Sequence, residues 1–144
     1  MPRENSSLLF RHASRRLQRT GLKRFFLELA RTVAGGRAVT CLITTDRELR
    51  ALNRKFRGKD YATDVLSFPY REGGEIAISL DRAAAQADEH GHSLEEEVRI
   101  LILHGLLHLA GMDHRTDHGD MARAEARWRK RLGLPSGLIE RAQA

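Results

Sequence analysis

One stretch, ILILHGLLHLAGMDHRTDHGD at residues 100–120, constrains this chain more than any other. From Ile100 to Ala110 it is apolar nearly all round, so a helix there is buried on most faces and forms part of the core. Yet His104 and His108 stand inside it, and a buried neutral imidazole has two ring nitrogens to satisfy. Their i, i+4 spacing stacks both on one face of the helix. Gly111 is suited to end that helix in the left-handed conformation. The chain can then return His114 toward the same point.

His104-x3-His108-x5-His114 offers three nitrogen ligands and leaves a fourth tetrahedral position open, as in a catalytic Zn²⁺ site rather than a closed structural one. A His₃ set also suits Ni, Cu or Fe. The ligand spacing coincides with the metzincin zinc frame, except that Gly105 stands where zinc peptidases carry their general-base Glu. Without that Glu, peptide hydrolysis is disfavoured. Phosphodiester cleavage asks instead for a Lewis acid and positive charge, which this sequence supplies. Asp113 either orients a ligand imidazole or stabilises the turn around it. His118 reads as a solvated residue at the start of the last helix, because a fourth histidine ligand would close the open position.

Charge points to a polyanion. The net charge of +6 is unevenly placed: residues 1–31 carry eight Arg/Lys against two Glu, and 121–144 carry six against two. Within the more acidic middle, DRELRALNRKFRGKD holds six cations between Arg47 and Lys59. Such a face favours RNA through phosphate neutralisation and counterion release, although Arg-rich surfaces also serve solubility alone. The single cysteine, Cys41, lies in the apolar run AVTCLITT and reads as buried packing in a reducing, cytoplasmic setting. No apolar run is long enough to cross a bilayer, and the basic N-terminus lacks the apolar core of a signal peptide.

At 144 residues the chain is expected to form one domain, 1–144. Short β-branched or alternating runs at SSLLFRH, 38–45, TDVLSFPY and GGEIAISL read as strands, the last two separated by a turn at Glu72-Gly73-Gly74. Helices are expected over 21–34, from a cap at Asp46 to Gly58, from a cap at Asp81 to Gly91, from a Ser93/Glu96 capping box to Ala110, and over 117–132. Trp128 and Leu132, four apart on the last, read as packing. The order is mixed, so the expected class is α+β: a small mixed sheet of about four strands packed with about five to six helices.

Three blocks of this sequence resemble the bacterial YbeY endoribonucleases, an rRNA maturation family. HGLLHLAGMDH resembles that family's histidine motif, LNRKFRGKDYATDVLSFPY its upstream block, and GGEIAIS its third. The similarity runs from about Ala38 to the last helix; Glu75 departs from the family's usual Asp, and Ala62 from a common Pro. The resemblance implies a zincin-like fold, one Zn²⁺ held by His104, His108 and His114, and cleavage of single-stranded RNA. It further implies a role in 16S rRNA 3′-end maturation and ribosome quality control, with a small-subunit ribosomal protein and an assembly GTPase as partners. Arg57 matches the family's functional arginine, and its planar fork suits the scissile phosphate. Lys55 and Lys59 are candidates for backbone phosphates, and Asp64 and Ser67 for the cleft, although Asp64 can equally brace a loop. The alternatives are a non-catalytic, metal-stabilised ribosome assembly factor and, disfavoured by Gly105, another metallohydrolase.

Overall fold

Four strands form one mixed sheet in a computed structural model that describes residues 6–143 apart from 13 and 15. They are β1 (Ser7–Phe10), β2 (Ala38–Thr44), β3 (Val65–Tyr70) and β4 (Gly73–Ser79), in the spatial order β1-β2-β4-β3. β1, β2 and β4 run parallel, and β3 closes one edge antiparallel to β4. Among the described residues there are six helices: α1 (Arg19–Val33), α2 (Asp46–Arg57), α3 (Leu80–His90), α4 (Leu94–Leu109), α5 (Asp120–Leu132) and α6 (Leu138–Gln143). The α+β expectation holds, and α6 adds a short helix to the five whose limits the sequence outlines.

Strand alternation divides the sheet into two unlike faces. On one, Leu8, Phe10, Val39, Cys41, Ile43, Ile76 and Ile78 join the main core with α1 and α4. On the other, Leu66 and Ala77 meet Leu49 of α2 in a much smaller cluster. α4 is the buried element the sequence demands: twelve of its sixteen residues are buried, and Ile100 through Leu107 are buried without a break. Cys41 is fully buried, and burial pushes its thiol up, so it packs rather than reacts.

Helix ends follow local chemistry, with two corrections. Ser93 and Glu96 form the expected capping box on α4. The cap of α2, however, is Thr45, whose hydroxyl accepts from the Glu48 amide, and that of α3 is Ser79, whose hydroxyl accepts from Arg82. Asp46 and Asp81 are first-turn residues instead: Asp81 accepts from the Asp46 amide, and Asp46 accepts from Ser79 Oγ and Arg82. The β3–β4 turn lies at Arg71-Glu72, with Gly73 already in β4, where a Cβ would collide with the backbone of Ala38. Trp128 and Leu132 pack against the core as expected. Part of the N-terminal stretch read for a leader, residues 1–5, lies outside the described residues, and among the described residues no helix is long and apolar enough to cross a membrane.

A buried carboxylate clamps α6. Glu97 on α4 is fully buried and accepts both Arg141 guanidinium nitrogens from α6, at 2.9 and 3.0 Å. Gln86 of α3 donates to it, and His92 Nε2 lies 2.6 Å away. Burial alone would raise the Glu97 carboxyl, but hydrogen bonds from Arg141, His92 and Gln86 outweigh it and hold the group below the ordinary range. The unfolded chain therefore takes up this proton first as pH falls from about 4.5, the ordinary value. Stability from this group is full above that pH and is lost as pH falls through the folded value. Urea titrations of the wild type and Glu97→Gln should show a gap at pH 7 that narrows toward pH 3; a gap independent of pH would refute the assignment.

Candidate metal centre and cleft

α4 carries the first two histidines, and its end supplies the geometry for the third. Gly111 has φ 97°, and the chain leaves the helix through paired bonds, Gly111 N to His108 O and Met112 N to Leu107 O, at 3.0 and 3.2 Å. This is a Schellman ending, which needs a left-handed residue and hence favours glycine. Asp113 then takes the Arg115 amide and guanidinium on its carboxylate, while its carbonyl accepts from the amides of Thr116 and Asp117. Of its two expected roles, Asp113 thus fills that of turn stabiliser, and its carboxyl is held low by Arg115.

The turn brings His114 back over α4. Ring centroids are 4.8 Å apart for His104–His108 and 5.7 Å for each pairing with His114. One ring nitrogen from each lies within 4.8 Å of the others, so all three can reach a common ion. Exposure increases along the set: His104 is buried, His108 partly buried and His114 exposed, which gives one protein wall and one open side. Burial, with His104 and His114 alongside, pulls the His108 imidazole down to about 4, leaving its lone pair free at neutral pH. Three imidazoles so arranged fit a divalent metal. His118 is exposed in the bend before α5 and outside this group.

A functional residue that the sequence reading missed lies behind the site. Glu125, on α5, is fully buried, and its Oε2 accepts the His104 Nδ1 proton at 2.8 Å. That bond fixes which nitrogen of His104 faces the cleft. Its Oε1 accepts from the Ile139 amide at 2.9 Å, tying α6 to the same carboxylate. Gly137 permits this approach, since a Cβ there would run into the Glu125 side chain. The spacing of Met121, Ala124, Glu125 and Trp128 held the signal, for it sets an acid on the stripe that faces the core.

The histidines line one side of a cleft of about 420 Å³. Arg57, Asp64 and Ser67 line it too, whereas Lys55 and Lys59 do not; Lys55 instead sits 5.2 Å from the Phe56 ring centroid. Arg57 is exposed at the end of α2, and among the described residues no carboxylate neutralises it. Asp64 is a loop brace as well as a lining residue: its Oδ1 accepts from the Val65 amide, and its carbonyl from Ser79. Ser67 Oγ donates to the Gly105 carbonyl at 3.3 Å, fastening edge strand β3 to α4.

Gly105 has a packing reason as well as a chemical one. A Cβ there would lie 3.0–3.3 Å from three atoms of Ile76 on β4, so a side chain would enter the core. Gly105→Glu is accordingly expected to cost at least about 3 kcal/mol in urea denaturation, because it buries an uncompensated charge. A variant as stable as wild type would show that α4 has room the packing denies.

Comparison with known proteins gives the family. A family model described as endoribonuclease YbeY matches residues 10–133. The chain belongs to the endoribonuclease YbeY family. Among its relatives, an endoribonuclease YbeY of Solibacter usitatus is 57% identical over 143 residues, covering 98% of this chain and 97% of its own. One of Koribacter versatilis is 59% identical over 120 residues, covering 81% and 79%. The solution structure of TM1509 from Thermotoga maritima superposes with a TM-score of 0.62 at 30% identity, covering 85% of each chain.

Proposed function

We propose that this chain is a metal-dependent endoribonuclease that cuts single-stranded RNA, acting as one domain over residues 1–144. The observation that carries the reading is the cleft, with three convergent imidazoles on one side and, lining it with them, the Arg57 guanidinium, which no carboxylate pairs among the described residues. His104, His108 and His114 would hold the ion, with Zn²⁺ the metal proposed for an open three-histidine set. When bound, such an ion supplies Lewis acidity, polarising a phosphoryl oxygen and lowering the pKa of water. Arg57 binds the scissile phosphate through its fork and offsets the charge that builds there in the transition state. Glu125 holds His104 in one tautomer, and α4 with the α5 side shields the buried edge of the site from water. Asp64 and Ser67 keep β3 in place beside the phosphate rather than exchanging protons. Lys55 and Lys59, outside the cleft, are left with contacts to phosphates farther along the strand.

The family points to ribosomal RNA, so the natural setting we propose is 16S rRNA 3′-end maturation and ribosome quality control in the cytoplasm, alongside a small-subunit ribosomal protein and an assembly GTPase. Purified protein should cut an unstructured rRNA 3′ precursor, lose that activity on chelation, and regain it with added Zn²⁺. Cleavage that persists in metal-free protein would refute the metal dependence. Binding of the precursor without cleavage under any metal would favour the non-catalytic assembly factor.

A further inference from the structure

The second face of the sheet is only half covered. α2 sits over Leu66 and Ala77, while Leu9, Leu42, Phe68 and Tyr70 continue past it as an open groove of about 300 Å³ that Phe56 also lines. Leu9, Phe56 and Tyr70 are 50%, 60% and 56% exposed, so three of the five exposed large apolar side chains among the described residues gather here. Phe56 and Phe68 meet edge to face at 5.6 Å.

This groove adjoins the metal cleft through two elements. Along β3 the side chains alternate: Ser67 and Pro69 line the cleft, Phe68 and Tyr70 the groove. At the end of α2, Phe56 turns to the groove and its neighbour Arg57 to the cleft. A strand with one phosphate at Arg57 therefore reaches the aromatic surface by crossing a single edge strand. The α2 side is cationic, and Lys55 stands over the Phe56 ring. The groove itself contains two carboxylates: Glu48, taken up by Arg11 and Thr44, and Glu75, which accepts from the Tyr70 hydroxyl. Arg11, which also lines the groove, is spent on Glu48, so phosphates laid there would still be repelled by Glu75. Uncharged bases would not, and their faces match exposed aromatic rings.

Building on the endoribonuclease reading, we propose that this open sheet face stacks the unpaired bases flanking the cleavage position, with their phosphates running along the α2 cations. Bases held in a duplex cannot be laid on the rings, so the surface selects for single strands. The test is stopped-flow anisotropy of a short labelled, unstructured RNA on Zn²⁺-loaded protein, read before scission, beside the same sequence as a duplex. Phe56→Ala and Tyr70→Ala should each weaken single-strand binding about 5- to 100-fold. Duplex binding, metal content and melting temperature should stay unchanged, and so should the salt dependence, because no phosphate contact is lost. Tyr70→Phe, which keeps the ring and loses the bond to Glu75, should bind like wild type. Single-strand affinity within twofold of wild type in both alanine variants would overturn the proposal. So would a wild-type dimer that these substitutions dissociate, which would make the face a protein interface. If the variants bind normally while wild type cuts RNA, only the stacking surface falls; if wild type neither binds nor cuts RNA, the function reading falls with it.

Discussion

Arg57→Ala is expected to lower the rate of RNA cleavage about 10²–10³-fold, the usual cost of removing one group that meets transition-state charge. Bound metal and melting temperature should not change, because Arg57 is exposed, makes no ion pair among the described residues and is not one of the three clustered histidines. Arg57→Lys separates charge from geometry. A lysine keeps the positive charge and loses the planar fork, so it should recover ground-state RNA binding better than rate. Single-turnover cleavage with saturating protein reads the chemical step apart from binding. A rate within a few-fold of wild type in Arg57→Ala would remove the arginine from the reaction and leave the imidazole cluster without its partner.

What the sequence discloses is what repeats locally or sits at fixed spacing. α4 was legible because its apolar run leaves no polar face, and its start because Ser93 and Glu96 satisfy each other's backbone donors. The three histidines were legible because a helix followed by one left-handed glycine fixes where they meet. The caps at Thr45 and Ser79 were missed by one and two residues: each has an aspartate close after it, and either type can cap. In both places the aspartate found a partner on the other helix, a contact over 35 positions that no local rule contains.

Strand order and the burial of single charges belong to that same long-range class. The sequence suggests four strands but not that β4 inserts between β2 and β3, a pairing that leaves β3 as the edge beside the cleft. Glu97 sits in an acidic triplet that complements the positive end of α4, which hides the fact that it alone turns inward to Arg141. α6 is too short to carry a periodic pattern, and it is held by Glu97 and Glu125 rather than by a wide apolar face. The unseen parts are thus the supports of the site, while its three histidines were in plain view.

Those supports should carry the second large effect. Glu125→Ala is expected to weaken Zn²⁺ binding about 10- to 100-fold, the cost of losing a carboxylate that orients a ligand imidazole. It also leaves two buried donors, His104 Nδ1–H and the Ile139 amide, without their acceptor. Each orphaned donor costs about 1–3 kcal/mol, so the metal-free protein should lose stability too. Glu125→Gln has one carbonyl oxygen for two donors and turns an N–H₂ toward whichever remains, so it should fall between alanine and wild type in both measures. Competition against a chromogenic chelator gives the affinity, and urea denaturation without metal gives the stability. A purely structural Glu125 would lower stability and leave the affinity of the folded protein unchanged. The orienting role requires affinity to fall in Glu125→Gln even at temperatures where that variant is fully folded.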